Sequence, residues 1–360
     1  MTIEIGAATI ERARALVLEF GWNSTAYQIL NPGIVHWFAA RGDALVGYVR
    51  HVGVRVVAGA PVASLERLAE VTAEFEADAA RAGERVCYFG AEERLEQVSR
   101  GSPTHSVISL GAQPSWHPAG LARRISQHPS LRAQLNRVRN KQVVVTQWPR
   151  ERASGNAELQ QVLRAWLETR GLPPLRFLVE PQTLSQLEDR LIFVAERHGR
   201  VVGFLVASPV PARNGWLVEQ IIRAPQAPNG VAELLISLAA ETMAARGSEY
   251  VTLGLAPLSR RARLPEVPAP WWLRAVLAWV RAHGRRFYNF DGLDAFKAKF
   301  FPEQWTPVFA VNHEPRFTPR SLYAIASAFS GGSAAWAIVK AGGRAVKQEL
   351  RWFRRPAITG

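Results

Sequence analysis

Residues 220–236 read QIIRAPQAPNGVAELLI and are the stretch from which the fold can be predicted. An apolar run ends at Arg223, a turn with two prolines, Asn229 and Gly230 follows, and apolar residues then recur at helical spacing. This pattern predicts strand, turn and helix, with Glu233 in the first helical turn. Such a turn presents backbone N–H groups that suit an anionic or carbonyl-bearing substrate. An ordinary strand–helix connection explains the same pattern.

Outward from this stretch, apolar runs and turn residues predict two similar series of elements. In the first we expect helix 9–20, strands 44–50 and 52–58, helix 64–82, strand 85–89, helix 92–99 and strand 106–110. In the second we expect helix 129–140, strand 143–148, helix 157–168, strands 191–196, 201–208 and 216–222, the helix after the turn and strand 250–253. This order predicts two three-layer α/β units in tandem. The expected domains are residues 1–120, residues 121–315 and a basic tail, residues 316–360.

The element order resembles the GNAT-type acyltransferase fold, in which the strand, loop and helix after the hairpin build the acyl-donor site. Coenzyme A binding of that type uses a glycine-rich loop whose N–H groups bond the pyrophosphate. The equivalent turn here contains Pro225 and Pro228, which remove two donors, and Gly230 is its single glycine. The resemblance therefore implies an acyltransferase fold, and the turn disfavours coenzyme A as the donor.

The net charge of +14 is concentrated in two segments. Residues 121–152 and residues 315–360 each carry eight Lys/Arg and one acid, so each contributes +7. Such segments attract the phosphates of nucleic acids or of anionic lipid headgroups, and a solvated basic surface without a partner is the alternative. In the first segment the cations of a predicted basic helix are candidates for tRNA or lipid phosphate: Arg132, Arg137, Arg139 and Lys141.

Composition excludes several classes of protein. The hydrophobic fraction of 48% and the charged fraction of 21% indicate a folded chain. Cys87 is the single cysteine, so an intramolecular disulfide is excluded. No apolar run reaches the length of a membrane span, and the N-terminus does not have a signal-peptide pattern. The eight histidines show no metal-ligand spacing, so we expect no metal and no cofactor. We expect a cytoplasmic protein, either free or peripheral at the inner face of the cytoplasmic membrane.

Three sequence blocks carry a more specific resemblance. They are residues 223–230 (RAPQAPNG), residues 253–259 (LGLAPLS) and residues 288–300 (YNFDGLDAFKAKF). Together with the basic helix they resemble the C-terminal catalytic domain of the phosphatidylglycerol lysyltransferases, the multiple peptide resistance factor family. The resemblance covers nearly the whole chain.

This resemblance implies an aminoacyltransferase that takes an aminoacyl group from charged tRNA and passes it to a lipid hydroxyl, usually that of phosphatidylglycerol. Aminoacyl-tRNA would be the co-substrate and anionic phospholipid the second partner. Full-length members carry a membrane-spanning flippase part, and this chain is expected to lack it. The acceptor is therefore left open between a lipid and a small molecule.

The resemblance also implies the site residues. The expected catalytic residues are Arg223, Glu233, Lys297 and Lys299. Arg223 would hold a phosphate, unless it forms a buried salt bridge with Glu219 or Glu233. One of the two lysines would face the site near an oxyanion or phosphate, and the other would face solvent. The expected substrate-binding residues are Glu219, Gln220, Asn229, Gly230, Gly254 and Pro257.

One departure from the family pattern concerns the substrate ammonium group. The family often has an acid three residues before the functional arginine, where this chain has Gln220. Glu219 lies next to it and would face the other side of the strand. The departure leaves open how the amino acid is recognised. It also leaves open whether the protein is a transferase or a binder built on a transferase fold.

The C-terminal tail combines apolar and basic residues in the pattern of an interfacial amphipathic helix. The expected membrane contacts are Trp336, Lys340, Arg344, Lys347, Arg351 and Trp352. A tail that packs on the domain and offers its cations to tRNA is the alternative. At the level of the whole protein, the alternatives are tRNA-dependent aminoacylation of a non-lipid small molecule, an acyl-coenzyme A N-acyltransferase, and a non-catalytic binder of anionic lipid or RNA.

Overall fold

The structure is a computed structural model, and it describes residues 6–169, 176–179, 182–262, 270–283 and 290–331. Its helices are α1 (Ala7–Phe20), α2 (Leu68–Arg81), α3 (Glu93–Ser99), α4 (Pro118–Gln127), α5 (Pro129–Arg139), α6 (Arg150–Ala153), α7 (Ala157–Glu168), α8 (Val231–Ala245), α9 (Trp271–His283), α10 (Phe290–Ala298) and α11 (Pro319–Ser330). Its strands are β1 (Val35–Phe38), β2 (Leu45–His51), β3 (Val54–Ala58), β4 (Arg85–Ala91), β5 (Ser106–Trp116), β6 (Val143–Trp148), β7 (Leu191–Arg197), β8 (Arg200–Val210), β9 (Gly215–Arg223), β10 (Tyr250–Thr252), β11 (Ala256–Pro257) and β12 (Gln304–Asn312).

All the strands belong to one sheet with the order β1-β2-β3-β4-β12-β5-β10-β9-β8-β7-β6, and β11 pairs with β5. At one end, β1, β2 and β3 are antiparallel, and β4 is parallel to β3 after α2. At the other end, β6 to β9 are antiparallel, and β10 is parallel to β9 after α8. The two ends therefore repeat one pattern, which confirms the predicted tandem α/β fold.

Helices cover both faces of the sheet, so its strands carry apolar residues on both sides. In β7, Phe193 packs with α8 residues such as Leu235, whereas Val194 packs with α7 residues such as Leu163. The other half of the sheet has α1 and α11 on one face and α2 on the opposite face. The architecture is therefore three layers along the whole sheet.

The position of β12 was not predicted from the sequence. It lies between β4 and β5, so a strand from the second expected domain lies within the first unit's sheet. Pro307 lies within β12, although proline cannot donate to a ladder. In the structure β4 pairs with β12 only from Phe309 onward, beyond the proline. The boundaries at residues 120 and 315 stay a prediction.

Helix α4 was not expected from the sequence, whereas α5 forms where a helix was expected. His117 and His128 lie outside the helices, immediately before α4 and α5. Pro118 and Pro129 begin these helices, because proline at the first helical position loses no intrahelical hydrogen bond. The start of the expected tail also belongs to the core: α11 contacts β2 and β3, and Ala324 in α11 is fully buried.

We expect Phe309→Ala to lower the free energy of unfolding by about 3–5 kcal/mol, because it removes a buried aromatic ring from β12. Phe309 is 3% exposed, whereas Phe301 is 42% exposed, so Phe301→Ala is the matched control and should cost less than about 1 kcal/mol. Equilibrium unfolding in urea measures both. Two separate transitions, with the second unit unaffected by Phe309→Ala, would contradict a sheet whose units share β12.

Candidate functional site

The sheet opens on one side of β9. The ladder between β9 and β10 covers only Gly215–Leu217, although β9 continues to Arg223. A register shift between Val206 and Ala207 of β8 leaves Glu219 as the extra residue of a bulge in β9, just beyond the end of that ladder. Bulges bend a strand and redirect side chains, and they are frequent beside active sites. We call this feature the β9–β10 opening.

Glu219 is a buried carboxylate with one oxygen satisfied and one oxygen unpaired. Its side chain is 4% exposed, and Oε2 accepts a hydrogen bond from Arg190 Nε at 3.0 Å. Ser208 Oγ donates to the same oxygen. Oε1 has no hydrogen-bond partner among the residues that the structure describes. Because an unpaired buried acceptor is costly, Oε1 is a candidate acceptor for a ligand's cationic donor.

Arg190 is a site residue that the sequence analysis missed. Its side chain is 2% exposed, and besides Glu219 it donates to the Gln186 carbonyl at 2.6 Å and to Asn31 Oδ1 at 3.2 Å. Its position 29 residues before Glu219 follows no helix or strand period, so only the folded structure shows the pair. Gln220, the next residue of β9, accepts a hydrogen bond from Thr183 Oγ1 at 2.8 Å.

Lys297 is a buried amine at the end of α10. The residue is 5% exposed, and its Nζ donates to the carbonyls of Gly254 and Leu255 at 2.7 and 2.8 Å. Burial lowers the pKa of Lys297 to about 7, and the nearby Asp294 carboxylate opposes that shift. Gly254 follows β10 with a φ of +70°, a conformation that favours glycine. Lys297 is therefore held against the chain that continues from β10.

Lys299 forms an ion pair with Glu233 in the first turn of α8. The Glu233 side chain is 6% exposed and that of Lys299 31%. Of the two lysines, Lys297 is thus the buried one, and Lys299 stays partly exposed in an ion pair. Arg223 is exposed at the end of β9 and makes no ion pair within the described part of the chain. The alternative of a buried Arg223 salt bridge is wrong, because Arg223 is exposed.

The turn before α8 lies against the basic helix α5. Gly230 has a φ of +103°, and a Cβ built there would lie 3.2 Å from Gln134 Cγ and 3.3 Å from Val138 Cβ. Asn229, next to it, is exposed. The predicted phosphate-binding cations of this region are all exposed: Arg132, Arg137, Arg139 and Lys141. A basic surface therefore borders the start of α8.

A surface pocket of about 240 Å³ lies beside β11, and Pro257 lines it. Asp294 organises the other side of this pocket. Its carboxylate accepts hydrogen bonds from Ser259 Oγ at 2.6 Å and from Arg261 Nε at 2.7 Å. Because Asp294 also acts on the charge of Lys297, the pocket and the buried amine are electrostatically linked.

The expected membrane contacts lie outside the described residues: Trp336, Lys340, Arg344, Lys347, Arg351 and Trp352. Two residues of the third sequence block, at positions 288 and 289, lie outside them as well. Within the described part of the chain, no helix has both the length and the apolarity that crossing a membrane requires.

The tandem α/β units and the opening beside β9 place the chain in the GNAT-type class of folds. Comparison with known proteins narrows this class. A family profile described as "Phosphatidylglycerol lysyltransferase, C-terminal" matches residues 14–312, so the chain belongs to that family. This confirms the resemblance found in the sequence.

Individual relatives agree with this assignment. The chain is 29% identical over 306 residues to the lysylphosphatidylglycerol biosynthesis bifunctional protein LysX of Nocardia farcinica, covering 82% of this chain and 26% of that protein. It is 23% identical over 295 residues to the phosphatidylglycerol lysyltransferase of Bacillus subtilis, covering 81% of this chain and 34% of that protein. The chain thus spans between about a quarter and a third of the length of these two relatives.

Solved structures show the same fold. The C-terminal domain of a putative lysylphosphatidylglycerol synthetase from Agrobacterium fabrum superposes with a TM-score of 0.74 at 22% identity, covering 91% of this chain and 98% of that one. L-PGS from Bacillus licheniformis superposes with a TM-score of 0.68 at 21% identity, covering 87% and 92%. At these identities the likeness concerns the fold alone.

We expect Lys297→Met to remove a pH dependence of stability. The pKa of Lys297 falls from 10.5 to about 7 on burial, so between these values the unfolded chain binds a proton that the folded chain does not. The free energy of unfolding should therefore rise with pH across this window, by up to about 1.4 kcal/mol per pH unit. Urea titrations at several pH values measure the slope.

Lys299→Met is the matched control for this experiment, because it keeps the buried amine at position 297. It should retain the wild-type slope between pH 7 and pH 10, whereas Lys297→Met should show a smaller one. Equal slopes in wild type and Lys297→Met would contradict a buried lysine with a lowered pKa.

Proposed function

We propose that the chain is an aminoacyltransferase that moves an aminoacyl group from charged tRNA to a hydroxyl group of phosphatidylglycerol. The observation that carries this proposal is the β9–β10 opening, which combines the unpaired carboxylate oxygen of Glu219 with the adjacent chain that Lys297 holds. The printed names of the relatives, lysylphosphatidylglycerol biosynthesis protein and phosphatidylglycerol lysyltransferase, support the same chemistry.

On the donor side, Glu219 binds the α-ammonium group of the aminoacyl ester. A buried carboxylate oxygen without a donor pairs strongly with a cation, because charge-assisted hydrogen bonds strengthen where water is excluded. Arg190 and Ser208 already occupy the other oxygen, so they fix the direction in which Oε1 is available. Glu219 thus takes the role that the family pattern assigns to an acid at position 220, and Gln220 lies beside it as a neutral neighbour.

On the acceptor side, Lys297 acts as the general base. Two N–H groups of a neutral amine can donate to the carbonyls of Gly254 and Leu255, which leaves the nitrogen lone pair to accept a proton. A base whose pKa lies near 7 is suited to proton transfer at neutral pH. Lys297 takes the proton of the acceptor hydroxyl as its oxygen attacks the ester carbonyl. The amine then returns the proton to the ribose oxygen that leaves with tRNA.

This reaction replaces one ester by another, so it requires no oxidant, reductant or further co-substrate. The new bond joins the carbonyl carbon to the acceptor oxygen, and the broken bond joins that carbon to the ribose oxygen.

Gly254 and Pro257 shape the chain beside the opening. Exposed Arg223 anchors a phosphate, and the Lys299–Glu233 pair fixes the start of α8 next to it.

The basic helix α5 supplies the longer-range attraction. Its exposed arginines lie next to the turn that precedes α8, where they would contact phosphates of the tRNA acceptor stem or of lipid headgroups. The C-terminal segment, with six Lys/Arg and one acid in residues 332–360, would add contact with an anionic membrane at its cytoplasmic face.

We expect Lys297→Met to lower kcat/KM for transfer by about 100-fold or more, because it removes the proton acceptor. The assay follows radiolabel from a mixed pool of aminoacyl-tRNAs into the organic phase with phosphatidylglycerol vesicles present. Lys297→Arg should be equally impaired, because a guanidinium group stays protonated. Wild-type kcat/KM should rise with pH through about 7, the pKa of Lys297. Arg223→Ala should also abolish transfer, through loss of a phosphate anchor.

Arg200→Ala is the control for this assay, because Arg200 is an exposed residue at the start of β8. Label that moves from tRNA into a water-soluble product would support charged tRNA as the donor. It would identify a small molecule, in place of the lipid, as the acceptor. Charged tRNA that stays intact across the whole pool would contradict the proposed activity and favour a binding protein.

We expect a chain truncated after Gly331 to bind vesicles of anionic phospholipid more weakly, because it loses the cations of residues 332–360. The cut follows α11, whose apolar face belongs to the core, so the described fold is retained. Co-sedimentation with phosphatidylglycerol vesicles at low and high salt measures the change. Equal binding by both chains would contradict membrane contact by this segment.

A further inference from the structure

A second cluster of polar side chains lies in the first unit. Glu76, His105 and His313 each offer one ligand atom, and these atoms lie within 4.8 Å of one another. His105 Nε2 is 2.9 Å from Glu76 Oε1, and His313 Nε2 is 3.6 Å from Glu76 Oε2. The two imidazole rings have centroids 4.9 Å apart. The function proposed above uses none of these three residues.

The centre of the sheet positions this cluster. Ser106 and Asn312 form the outermost pair of the β5–β12 ladder, so His105 and His313 follow as neighbours at the ends of adjacent antiparallel strands. The backbone N–H of His313 donates to the Val86 carbonyl at 3.0 Å, which fixes its main chain. Glu76 comes from α2, which packs on this part of the sheet. Rigid elements therefore hold all three residues.

Further contacts orient the ligand atoms. Tyr88 is fully buried and its hydroxyl donates to Glu76 Oε1 at 3.1 Å. His105 Nδ1 lies 2.9 Å from Ser102 Oγ, and in the tautomer with hydrogen on Nδ1 it donates to this hydroxyl. That tautomer leaves the Nε2 lone pair directed at Glu76 and His313. Metal-binding histidines are typically held in this way by a hydrogen bond from the second ring nitrogen.

Burial differs across the cluster in the way a metal site requires. The side chains of Glu76 and His105 are 7% and 11% exposed, whereas that of His313 is 29% exposed. The buried side thus holds a carboxylate and an imidazole, and the His313 side gives solvent access. A hydrogen bond between His105 and Glu76 explains one contact, but it does not explain why His313 brings its Nε2 to the second carboxylate oxygen.

We propose that Glu76, His105 and His313 bind one divalent transition-metal ion, with Zn²⁺ as the best fit. Two imidazole nitrogens and a carboxylate oxygen suit zinc, whereas Ca²⁺ and Mg²⁺ prefer oxygen ligands. Ligand atoms around a tetrahedral zinc ion stand about 3.4 Å apart, so small side-chain rotations close the site. Water from the His313 side completes the coordination. The ion links α2 to the ends of β5 and β12, where β12 enters the first unit.

The test is calorimetric titration of the full chain with ZnCl₂ after removal of metals with a chelator. Wild type should bind one Zn²⁺ per chain saturably, and its unfolding temperature should rise with added Zn²⁺. His313→Ala and Glu76→Gln should each bind about tenfold more weakly or worse, since each removes a ligand. Glu76→Gln keeps the shape of the side chain and an acceptor for Tyr88, so it separates loss of binding from loss of folding.

His117→Ala is the matched control, because His117 is an exposed histidine that precedes α4 and is not part of the cluster. It should bind Zn²⁺ as wild type does. Circular dichroism and melting in chelator establish that each variant is folded. A wild-type chain without saturable Zn²⁺ binding, or unchanged affinity in both folded ligand variants, would overturn the proposal. Because the readout is binding and stability, its result does not depend on whether transfer activity is found.

Discussion

The antiparallel ladder between β5 and β12 is the interaction on which the rest of the fold depends. It contains nine residue pairs, from Gln304 with Ser115 to Asn312 with Ser106. On one side β12 pairs with β4, and on the other side β5 pairs with β10, so this ladder joins the two units into one sheet. Without this ladder the sheet of each unit would end in an unpaired strand edge. Strand β12, which follows β10 in the chain, therefore completes the sheet of the first unit.

A buried polar network makes a second connection between the units and reaches the candidate site. Arg190 contacts Asn31 of the first unit and Glu219 of the second, and its guanidinium lies 4.8 Å from the centroid of the Tyr27 ring. Tyr27 in turn donates from its hydroxyl to the Glu188 carbonyl at 2.7 Å. Buried ion pairs contribute little net stability, but loss of one partner is strongly destabilising. The first unit thus positions Glu219 at the bulge of β9.

The sequence predicted what depends on local pattern. The strand, turn and helix around residues 220–236 and the helix Ala157–Glu168 have periodic apolar residues, and they formed as expected. The place of β12 could not be predicted, because strand order depends on contacts far apart in sequence. For the same reason the sequence could not predict the partners of Glu219 and Lys297 or the Glu76–His105–His313 cluster. Metal-ligand spacing indicates a site only where the ligands are close along the chain, whereas this cluster spans residues 76–313.

The distribution of charge separates the surface that attracts phosphates from the buried groups that would carry out the proposed reaction. The exposed cations of α5 and Arg223 lie on the surface, where they attract phosphates. The buried groups of the site differ from these exposed cations. Burial lowers the pKa of Lys297, so this amine loses its charge easily, and Glu219 retains an unpaired carboxylate oxygen. Both features cost stability, and proteins keep such costs mainly at functional sites. In the proposed reaction the unpaired oxygen of Glu219 would accept the ammonium group inside the protein, whereas the exposed cations would hold the polyanion that carries this group.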